Sequence, residues 1–318
     1  MRRFLLILVL LLPLPAMAAD GTLRFAALGD FQLDSGATIL DCRIGYRTYG
    51  TLAADRSNAI VVLTWFGGTT KGLESWIGPG KLYDPSKFFV VTIDALGDGI
   101  SSSPSNSSEQ PGPRFPQFTM RDMVRSQHEM LVRALGLDHV YAVSGLSMGG
   151  MQAFQWAASY PDFMTRVVPI VGSPKLTSYD LLLWKTELAL AGSPLAMKAA
   201  ADINEMHLHT PAWVTAHLHD IDAVMRAHEE SLQKIDSNDY ASDLRAMISQ
   251  DIGPPEAVHA KMLIVVSLQD LMVNPAPARE FARTTKSELL TLTGDCGHLA
   301  TSCEEELLVR EVRRFLAE

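Results

Sequence analysis

The sequence is poor in cysteine and in basic residues. It has three cysteines, and its 27 lysines and arginines are outnumbered by 36 aspartates and glutamates, for a formal net charge of -9. No cationic cluster supplies the face that a phosphate backbone requires, which excludes nucleic acid as a partner. The apolar run of residues 4–12 is far shorter than the roughly 20 residues that span a bilayer. A hydrophobic content of 47% over 318 residues instead indicates a globular protein with a substantial core.

The first 18 residues have the organisation of an export signal. Arg2 and Arg3 precede the apolar run, and Ala16-Met17-Ala18 has the small-x-small form of a signal-peptidase site. We therefore predict a signal peptide over residues 1–18 with cleavage after Ala18. The mature protein is expected to be periplasmic or secreted, with no stable membrane anchor after cleavage.

The three cysteines allow one internal disulfide at most. An exported protein meets an oxidising compartment in which thiols can pair. Cys296 and Cys303 are close in sequence and could close one loop, whereas Cys42 lies in an apolar row and is expected to pack as a small hydrophobic residue. Spacing alone does not fix disulfide geometry, so pairing of Cys296 with Cys303 and two free thiols both remain open.

Strand and helix patterns alternate along the chain. Residues 38–48 alternate between apolar and polar, which predicts a half-buried strand with Leu40 and Cys42 on its inward side. Six later apolar runs do not alternate, as in strands covered on both faces, and they occupy residues 60–63, 88–93, 140–143, 167–171, 262–266 and 289–292. A helix is predicted from the N-cap Thr119 to the stop Gly136. This order predicts an α/β protein with a mostly parallel central sheet flanked by helices.

One segment differs from this alternation. Residues 175–255 have helical patterns interrupted by prolines and no convincing strand, which predicts an inserted helical cap. Residues 19–174 and 256–318 are then the α/β core.

A glycine-rich serine motif follows the predicted strand at residues 140–143. In Gly145-Leu146-Ser147-Met148-Gly149 the serine stands where the strand turns into a helix. The glycines remove side chains that would collide with the neighbouring strand and helix, and the turn presents the hydroxyl above the sheet. Ser147 is the predicted nucleophile, and a structural glycine-rich turn is the alternative.

A serine hydroxyl needs an imidazole to take its proton and a carboxylate to orient that imidazole. In this architecture the acid follows one late strand and the histidine follows the next. Asp270 and His298 stand at these two places, and we predict them as the acid and the base. Asp251, Asp295 and Glu280 are rival carboxylates, but none directly follows a strand end before a proline-containing turn.

The tetrahedral intermediate of acyl transfer requires backbone N–H donors for its oxyanion. Met148, directly after the nucleophile, is the first predicted donor. The second should come from the loop after the strand at residues 60–63, where we predict Phe66 in preference to Trp65 or Gly67.

Two other patterns indicate no cofactor or metal. The His-x-His pairs at residues 207–209 and 217–219 do not share a helix face and lie in no strand pattern. Gly97 and Gly99 precede a loop rich in serine and proline rather than the helix start that phosphate binding requires. The prediction is therefore that the protein has no nucleotide cofactor and no metal site.

Longer strings resemble a known family. They are Tyr46-Arg47-Thr48-Tyr49-Gly50, Ser57-Asn58-Ala59, Arg114-Phe115-Pro116, Thr119-Met120-Arg121-Asp122-Met123-Val124, Gln127, Ser147-Met148-Gly149-Gly150-Met151-Gln152, Trp156, Tyr160-Pro161-Asp162, Asp270 and Gly297-His298. The sequence thereby resembles the homoserine O-acetyltransferase branch of the α/β-hydrolase superfamily, over most of the chain outside the cap. The resemblance implies the α/β-hydrolase fold and the triad Ser147, Asp270 and His298.

The sequence departs from that family at its substrate-binding positions. The family places an aspartate after the catalytic histidine to help hold the homoserine amino group, and this chain has Leu299 there. The family's cap segment Gly-Leu-x-x-Ala-Arg is not recognisable, and Arg226 and Arg245 are the only arginines of the cap. An exported enzyme is also separated from acyl-coenzyme A, a cytosolic acyl donor.

These observations predict an exported serine hydrolase that forms an acyl-serine intermediate from an ester or related small-molecule acyl substrate. One alternative is an O-acyltransferase similar to homoserine O-acetyltransferase. Another is a non-catalytic binding protein with the same fold. The sequence leaves the acyl chain, the acceptor and a homodimeric state open.

Overall fold

The computed structural model describes residues 19–191 and 194–318. The signal peptide expected over residues 1–18 lies outside the described residues. The strands are β1 Arg24–Gln32, β2 Thr38–Tyr49, β3 Ala59–Leu63, β4 Phe89–Ile93, β5 Val140–Leu146, β6 Met164–Ile170, β7 Lys261–Ser267 and β8 Glu288–Leu292. The helices are α1 Met120–Leu135, α2 Met148–Ser159, α3 Ser178–Leu190, α4 Pro194–Leu208, α5 Pro211–His217, α6 Ile221–Leu232, α7 Ser237–Ile248, α8 Ala276–Thr285, α9 Ala300–Cys303 and α10 Glu305–Ala317.

The strands form one mixed sheet of eight strands in the order β1-β2-β4-β3-β5-β6-β7-β8. From β4 to β8 every neighbouring pair is parallel, and β2 is antiparallel to both β1 and β4. The central strands β3 and β4 are buried at every position, as the unbroken apolar runs predict for strands covered on both faces. Parallel strands direct their carboxyl ends to one edge of the sheet, so the loops after β3, β5, β7 and β8 lie on the same side.

Each face of the sheet has its own apolar core. On one face the core includes residues of α1, α2 and α8, such as Leu131, Phe154 and Phe281. On the other face α10 contributes Leu308, Val312 and Phe315. The two helical layers exclude water from the central strands, which fixes the register of the strands beneath the site.

Helix α1 has the ends that its sequence predicts. Thr119 accepts a hydrogen bond from the amide of Asp122, and the Asp122 carboxylate accepts one from the Thr119 amide, which completes a capping box. Gly136 ends the helix in the left-handed conformation, with φ 63°.

The expected inward position of Leu40 is wrong. Leu40 is 37% exposed, whereas its neighbour Ile39 is fully buried. Between the pairs Phe31↔Ile39 and Gly29↔Cys42 the strand β2 has one residue more than β1, and Asp41 adopts φ 49°. This β-bulge shifts the alternation by one residue, so the regular period holds only from Cys42 onward.

Five helices, α3 to α7, follow one another between β6 and β7. Residues 175–255, expected to form the cap, contain these helices and one isolated bridge between Lys175 and Asp251. Within the part of the chain that the structure describes, no helix is both long and apolar enough to cross a membrane.

Candidate active site

Ser147 is the single residue between β5 and α2. Strand β5 ends at Leu146 and helix α2 begins at Met148, so the chain reverses at one residue. Ser147 adopts φ 57° and ψ -116°, a conformation that is unfavourable for a side chain with a Cβ atom. Such a backbone costs on the order of 1–3 kcal/mol and persists only where its surroundings impose it.

The glycines around Ser147 allow this turn. A Cβ atom on Gly145 would collide with the carbonyl of Gly149, and one on Gly149 would collide with the carbonyl of Leu63 in β3. A Cβ atom on Gly150 would lie 2.7 Å from the carbonyl oxygen of Ile170 in β6. The glycines are therefore required for the close approach of α2 to both neighbouring strands.

The structure brings Ser147, Asp270 and His298 together from the ends of three strands. His298 Nε2 lies 2.9 Å from Ser147 Oγ, and His298 Nδ1 lies 2.7 Å from Asp270 Oδ2. The three residues are 8%, 7% and 5% exposed, in the order Ser147, Asp270 and His298. In this arrangement Nδ1 donates to the carboxylate, which leaves the Nε2 lone pair to accept the serine proton.

The carboxylate of Asp270 is fixed by the loop that follows it. Its Oδ1 accepts hydrogen bonds from the amides of Met272 and Val273 at 2.8 and 2.9 Å, while Oδ2 faces the imidazole. The rival carboxylates Asp251, Asp295 and Glu280 are exposed residues.

The loop that holds His298 is restrained at three points. Gly297, with φ 63°, adopts a left-handed conformation, and its carbonyl accepts a hydrogen bond of 2.7 Å from Ser267 Oγ. Cys296 and Cys303 form a disulfide that encloses His298, which resolves the pairing that spacing left open. Cys42 is a buried free thiol, as expected for a residue of the apolar core.

The two predicted oxyanion donors border the same space. Met148 is the first residue of α2, so its amide has no acceptor within the helix. Phe66 lines the cavity above Ser147 together with Trp65 and Gly67, and its ring contacts Tyr240 edge-on at 4.8 Å. The choice of Met148 and Phe66 as donors stays a prediction.

A chain of hydrogen bonds between buried side chains supports the loop that follows β3. Trp156 Nε1 donates to Gln127 Oε1 at 2.8 Å, and Gln127 Nε2 donates to Gln152 Oε1 at 2.6 Å. Gln152 Nε2 then donates to the carbonyl of Thr64, two residues before Phe66, at 3.1 Å. In the sequence these side chains stand out only as part of the family resemblance. Their contacts join α1 and α2, and the sequence does not show how these two helices pack together.

Ser147 and His298 open into a cavity of about 440 Å³. Its wall is mostly apolar, with residues from the core and from the cap, including Trp65, Trp76, Leu146, Trp184, Leu208, Leu232, Ile235, Leu244, Met247, Met272 and Leu299. No lysine or arginine of the described residues lines it, and its polar cap residues are Glu187, Asn204, His228 and Ser231. A cavity of this size and character suits a small neutral molecule.

Glu187 is the one buried carboxylate that the cap contributes to this wall among the described residues. Burial raises the pKa of Glu187 to about 7, although the hydrogen bond from Tyr240 and the neighbouring amide of Asn204 act in the opposite direction. The sequence alone does not reveal Glu187 as a cavity residue, because the apolar pattern around Glu187 gives no sign that its side chain faces a cavity.

The histidines of the cap do not assemble a metal site. His209 and His217 stack on the ring of Trp213, at centroid distances of 3.7 and 4.6 Å. Over residues 19–191 and 194–318, no group of three or more histidine, cysteine, aspartate or glutamate side chains could hold a metal ion.

Comparison with known proteins identifies the family. A family model described as alpha/beta hydrolase fold matches residues 58–301. The chain belongs to the alpha/beta hydrolase family. The predicted fold class is thereby confirmed, and the acetyl esterase MekB, a solved alpha/beta structure, superposes with a TM-score of 0.86 at 24% identity over 93% of this chain and 96% of that chain.

Curated relatives of this chain include an ester hydrolase and an O-acetyltransferase. The chain is 37% identical to an ethyl acetate hydrolase of Pseudomonas veronii over 164 residues, which are 51% of this chain and 47% of that protein. It is 38% identical to a homoserine O-acetyltransferase of Caulobacter vibrioides over 182 residues, 52% of this chain and 47% of that protein. The chain thus spans about half the length of the curated relatives that it matches. The resemblance to the homoserine O-acetyltransferase branch is confirmed.

Proposed function

We propose that this alpha/beta hydrolase cleaves small carboxylic esters through an acyl-serine intermediate, with Ser147, His298 and Asp270 as its triad. The observation that supports the proposal is the unbroken hydrogen-bond chain from Ser147 Oγ through both nitrogens of His298 to Asp270. Both groups of relatives, the ester hydrolase and the acyltransferase, have names that imply acyl transfer from or to oxygen.

In the acylation step Ser147 Oγ attacks the ester carbonyl carbon while His298 Nε2 takes the hydroxyl proton. Asp270 stabilises the imidazolium that forms, and the amides of Met148 and Phe66 donate to the oxyanion. The tetrahedral intermediate then expels the alkoxide, which takes the proton from Nε2 and leaves as the alcohol. The product of this step is an ester between the acyl group and Ser147.

Water hydrolyses the acyl-serine in a second step that uses the same side chains. His298 Nε2 removes a proton from water, and the hydroxide attacks the acyl carbonyl carbon. Collapse of the second tetrahedral intermediate breaks the bond to Ser147 Oγ, which recovers its proton from His298. The carboxylic acid leaves and the triad returns to its starting state.

The acceptor is proposed to be water rather than homoserine. Homoserine carries a carboxylate, and the described cavity wall has no lysine or arginine to pair with it. The residue after His298 is Leu299, which supplies no charge for an ammonium group. O-acyltransfer to homoserine is the second candidate, and the curated relatives of that name favour it.

We also propose that the protein is exported, with residues 1–18 removed. The residues that support this are the basic start, apolar run and small-x-small site of the sequence. The disulfide between Cys296 and Cys303 is consistent with an oxidising compartment.

Active-site labelling tests the nucleophile. A fluorophosphonate probe should label the wild type and fail to label Ser147→Ala, while hydrolysis of p-nitrophenyl acetate falls by several orders of magnitude in the variant. Ser302→Ala is the matched control, because Ser302 lines the same cavity and is not hydrogen-bonded to His298. Equal labelling of wild type and Ser147→Ala would contradict the assignment, and an unlabelled, inactive wild type would favour the non-catalytic binding protein.

A competition experiment separates the two acceptors. Purified mature protein is given p-nitrophenyl acetate with and without homoserine, and both acetate and O-acetylhomoserine are quantified. We expect acetate alone, at a rate independent of homoserine. O-acetylhomoserine as the main product would instead support the acyltransferase.

A further inference from the structure

One side-chain oxygen of Glu187 has no hydrogen-bond donor among the described residues. Glu187 lies on α3 and is 1% exposed, with its side chain in the wall of the active-site cavity. Its Oε2 accepts a hydrogen bond of 2.7 Å from the hydroxyl of Tyr240. Its Oε1 is buried and accepts no hydrogen bond from the described residues. A buried acceptor without a donor is destabilising, so such atoms are rare and often have a functional reason.

The surroundings of Glu187 do not neutralise it. The titratable groups nearby on the other cap helices are Tyr240 on α7 and His228 on α6. His228 Nδ1 lies 3.2 Å from Glu205 Oε2, and its Nε2 is a second buried atom without a partner. Asn204 of α4 and Ser231 of α6 line the same cavity. Helices α3, α4 and α6 thus place polar side chains in a cavity wall that is otherwise mostly apolar.

This arrangement selects a type of substrate group. In the ionised form of Glu187 the free oxygen can only accept, so its partner must be a donor. A carboxylate or phosphate on the substrate would meet the Glu187 charge with no lysine or arginine in the described cavity wall to offset it. Hydroxyl and protonated amino groups supply the donor without that repulsion.

We propose that Glu187 is a specificity-determining residue: its free oxygen accepts a hydrogen bond from a hydroxyl or protonated amino group of the substrate, remote from the ester. The preferred substrates are then esters with a second polar end of this kind. This inference rests on the proposed ester hydrolysis, and it adds a recognition group that the triad does not require.

The first test compares matched esters. The alcohol series contains alkyl acetates of three to six carbons, the corresponding ω-hydroxyalkyl acetates, and ω-dimethylaminoalkyl acetates, which carry a protonated amine. The acyl series contains p-nitrophenyl hexanoate and 6-hydroxyhexanoate. We expect the wild type to favour a donor-bearing ester over its plain partner by at least about tenfold in kcat/KM at one chain length, as for one hydrogen bond to a charged group. The hydroxyl and amine arms show which donor is preferred.

Two variants remove the acceptor in different ways. Glu187→Gln keeps the shape and removes the charge, whereas the double variant Glu187→Leu with Tyr240→Phe removes the acceptor and leaves no tyrosine hydroxyl without a partner. The preference should fall severalfold in the first and to about one in the second. Glu230→Gln is the matched control, because Glu230 is an exposed glutamate on α6 and the preference should stay at the wild-type value.

The pH dependence of the preference gives a readout that a structural role would not change. A ratio of kcat/KM values for two esters cancels any effect of pH on the shared chemical step, because that effect acts on both esters. Since the pKa of Glu187 is raised to about 7, the hydroxyl preference should increase between pH 6 and pH 8 as the carboxylate ionises. In Glu187→Gln the ratio should be flat over this range. An equal increase in both proteins would assign the pH dependence to a group other than Glu187 and overturn the proposal.

Binding without turnover separates this inference from the proposed function. Isothermal titration of Ser147→Ala with hexyl acetate and 6-hydroxyhexyl acetate should give a dissociation constant about tenfold lower for the hydroxy ester. If the wild type hydrolyses plain esters but neither preference appears, the inference is wrong and the hydrolase remains. If no ester is hydrolysed, the proposed function is wrong, and the binding ratio still decides the role of Glu187.

Discussion

At the scale of single residues, each member of the proposed triad is held in place by atoms outside the triad. Ser147 is fixed by a turn that only glycine neighbours permit, and Asp270 by two amides of its own loop. His298 is positioned by the Ser267 contact to Gly297 and by the disulfide around it. Because much of this support comes from groups outside the three side chains, we expect that a side chain of the proposed triad can be altered without loss of the fold.

Asp270→Asn should lower kcat by about 10⁴-fold, because a neutral amide no longer selects the tautomer that has its proton on Nδ1. The asparagine oxygen can still accept from the amides of Met272 and Val273, so the thermal midpoint should change little. Steady-state kinetics and circular-dichroism melting check the two statements. Asp251→Asn is the control at an exposed rival carboxylate. A loss of activity equal to that of Asp270→Asn in this control would reject the assignment of the acid.

The sequence was sufficient to predict that Ser147, Asp270 and His298 lie together, and insufficient to predict the wall of the cavity beside them. The motif around Ser147 and the strand ends before Asp270 and His298 are local signals whose spatial order follows from the parallel sheet. Glu187, by contrast, faces the cavity because α3 packs against α7, and no local pattern encodes that packing. Phe66 was chosen from its position in a loop, and its role as an oxyanion donor stays a prediction.

At the scale of secondary-structure elements, most errors of the sequence analysis have a physical cause. Strand β1 was not predicted, because its buried residues alternate for only part of its length before the bulge opposite Asp41. The bulge also explains the exposed Leu40. Continuous runs such as β3 and β4 were predicted correctly because burial on both faces leaves an apolar residue at almost every position.

The segment from Cys296 to Cys303 is expected to lose rigidity when its disulfide is removed. Closing a loop of this length stabilises the folded state by about 2–3 kcal/mol in the chain-entropy account. Cys303→Ser should therefore lower the thermal midpoint by several degrees and reduce kcat, because His298 lies inside the loop. Differential scanning fluorimetry with and without reductant provides the check. Reductant should shift the wild type and not the variant, and an unchanged wild type would show that the disulfide does not stabilise this segment.

Helix α7 meets the core loop around Ser105 through buried carboxylates. Asp239 accepts a hydrogen bond of 2.8 Å from the Ser105 amide, and burial raises the pKa of Asp239 to about 6. Burial also raises the pKa of Asp98 and of Asp243 well above the usual value. A raised pKa means that the folded protein keeps protons that the unfolded chain has already lost. For Asp239 the free energy of unfolding therefore falls as the pH rises from the ordinary pKa of 3.8 to the raised value of about 6.

Asp239→Asn should make this decline shallower between about pH 4 and pH 6. One proton contributes at most about 1.4 kcal/mol of unfolding free energy per pH unit, and the asparagine contributes none. Urea unfolding of both proteins from pH 4 to pH 8 measures the slopes. The control is Asp222→Asn, an exposed aspartate of α6 that is remote from Asp239, for which the slope should match the wild type. Equal slopes for Asp239→Asn and wild type would show that Asp239 titrates normally.

At the scale of the whole molecule, the predicted export would determine whether Cys296 and Cys303, on either side of His298, are oxidised. If residues 1–18 direct the chain out of the cytosol, the mature protein should begin at Ala19 and be found in the periplasmic or culture fraction. N-terminal mass spectrometry and cell fractionation test this. A chain that lacks residues 2–18 should remain in the cytosol with Cys296 and Cys303 open to alkylation. Full-length protein with intact residues 1–18 in the cytosolic fraction would contradict the prediction.

The connection between β6 and β7 has a consequence for how this protein could diversify. These strands are neighbours in the sheet, and helices α3 to α7 leave from one and return to the next as a single contiguous stretch. A different stretch could be spliced between the same two strands without altering strand order or disturbing the nucleophile turn. Because α3, α4, α6 and α7 supply part of the cavity wall while Ser147, Asp270 and His298 lie outside this stretch, chimaeras exchanged at these two junctions should show a shifted substrate range.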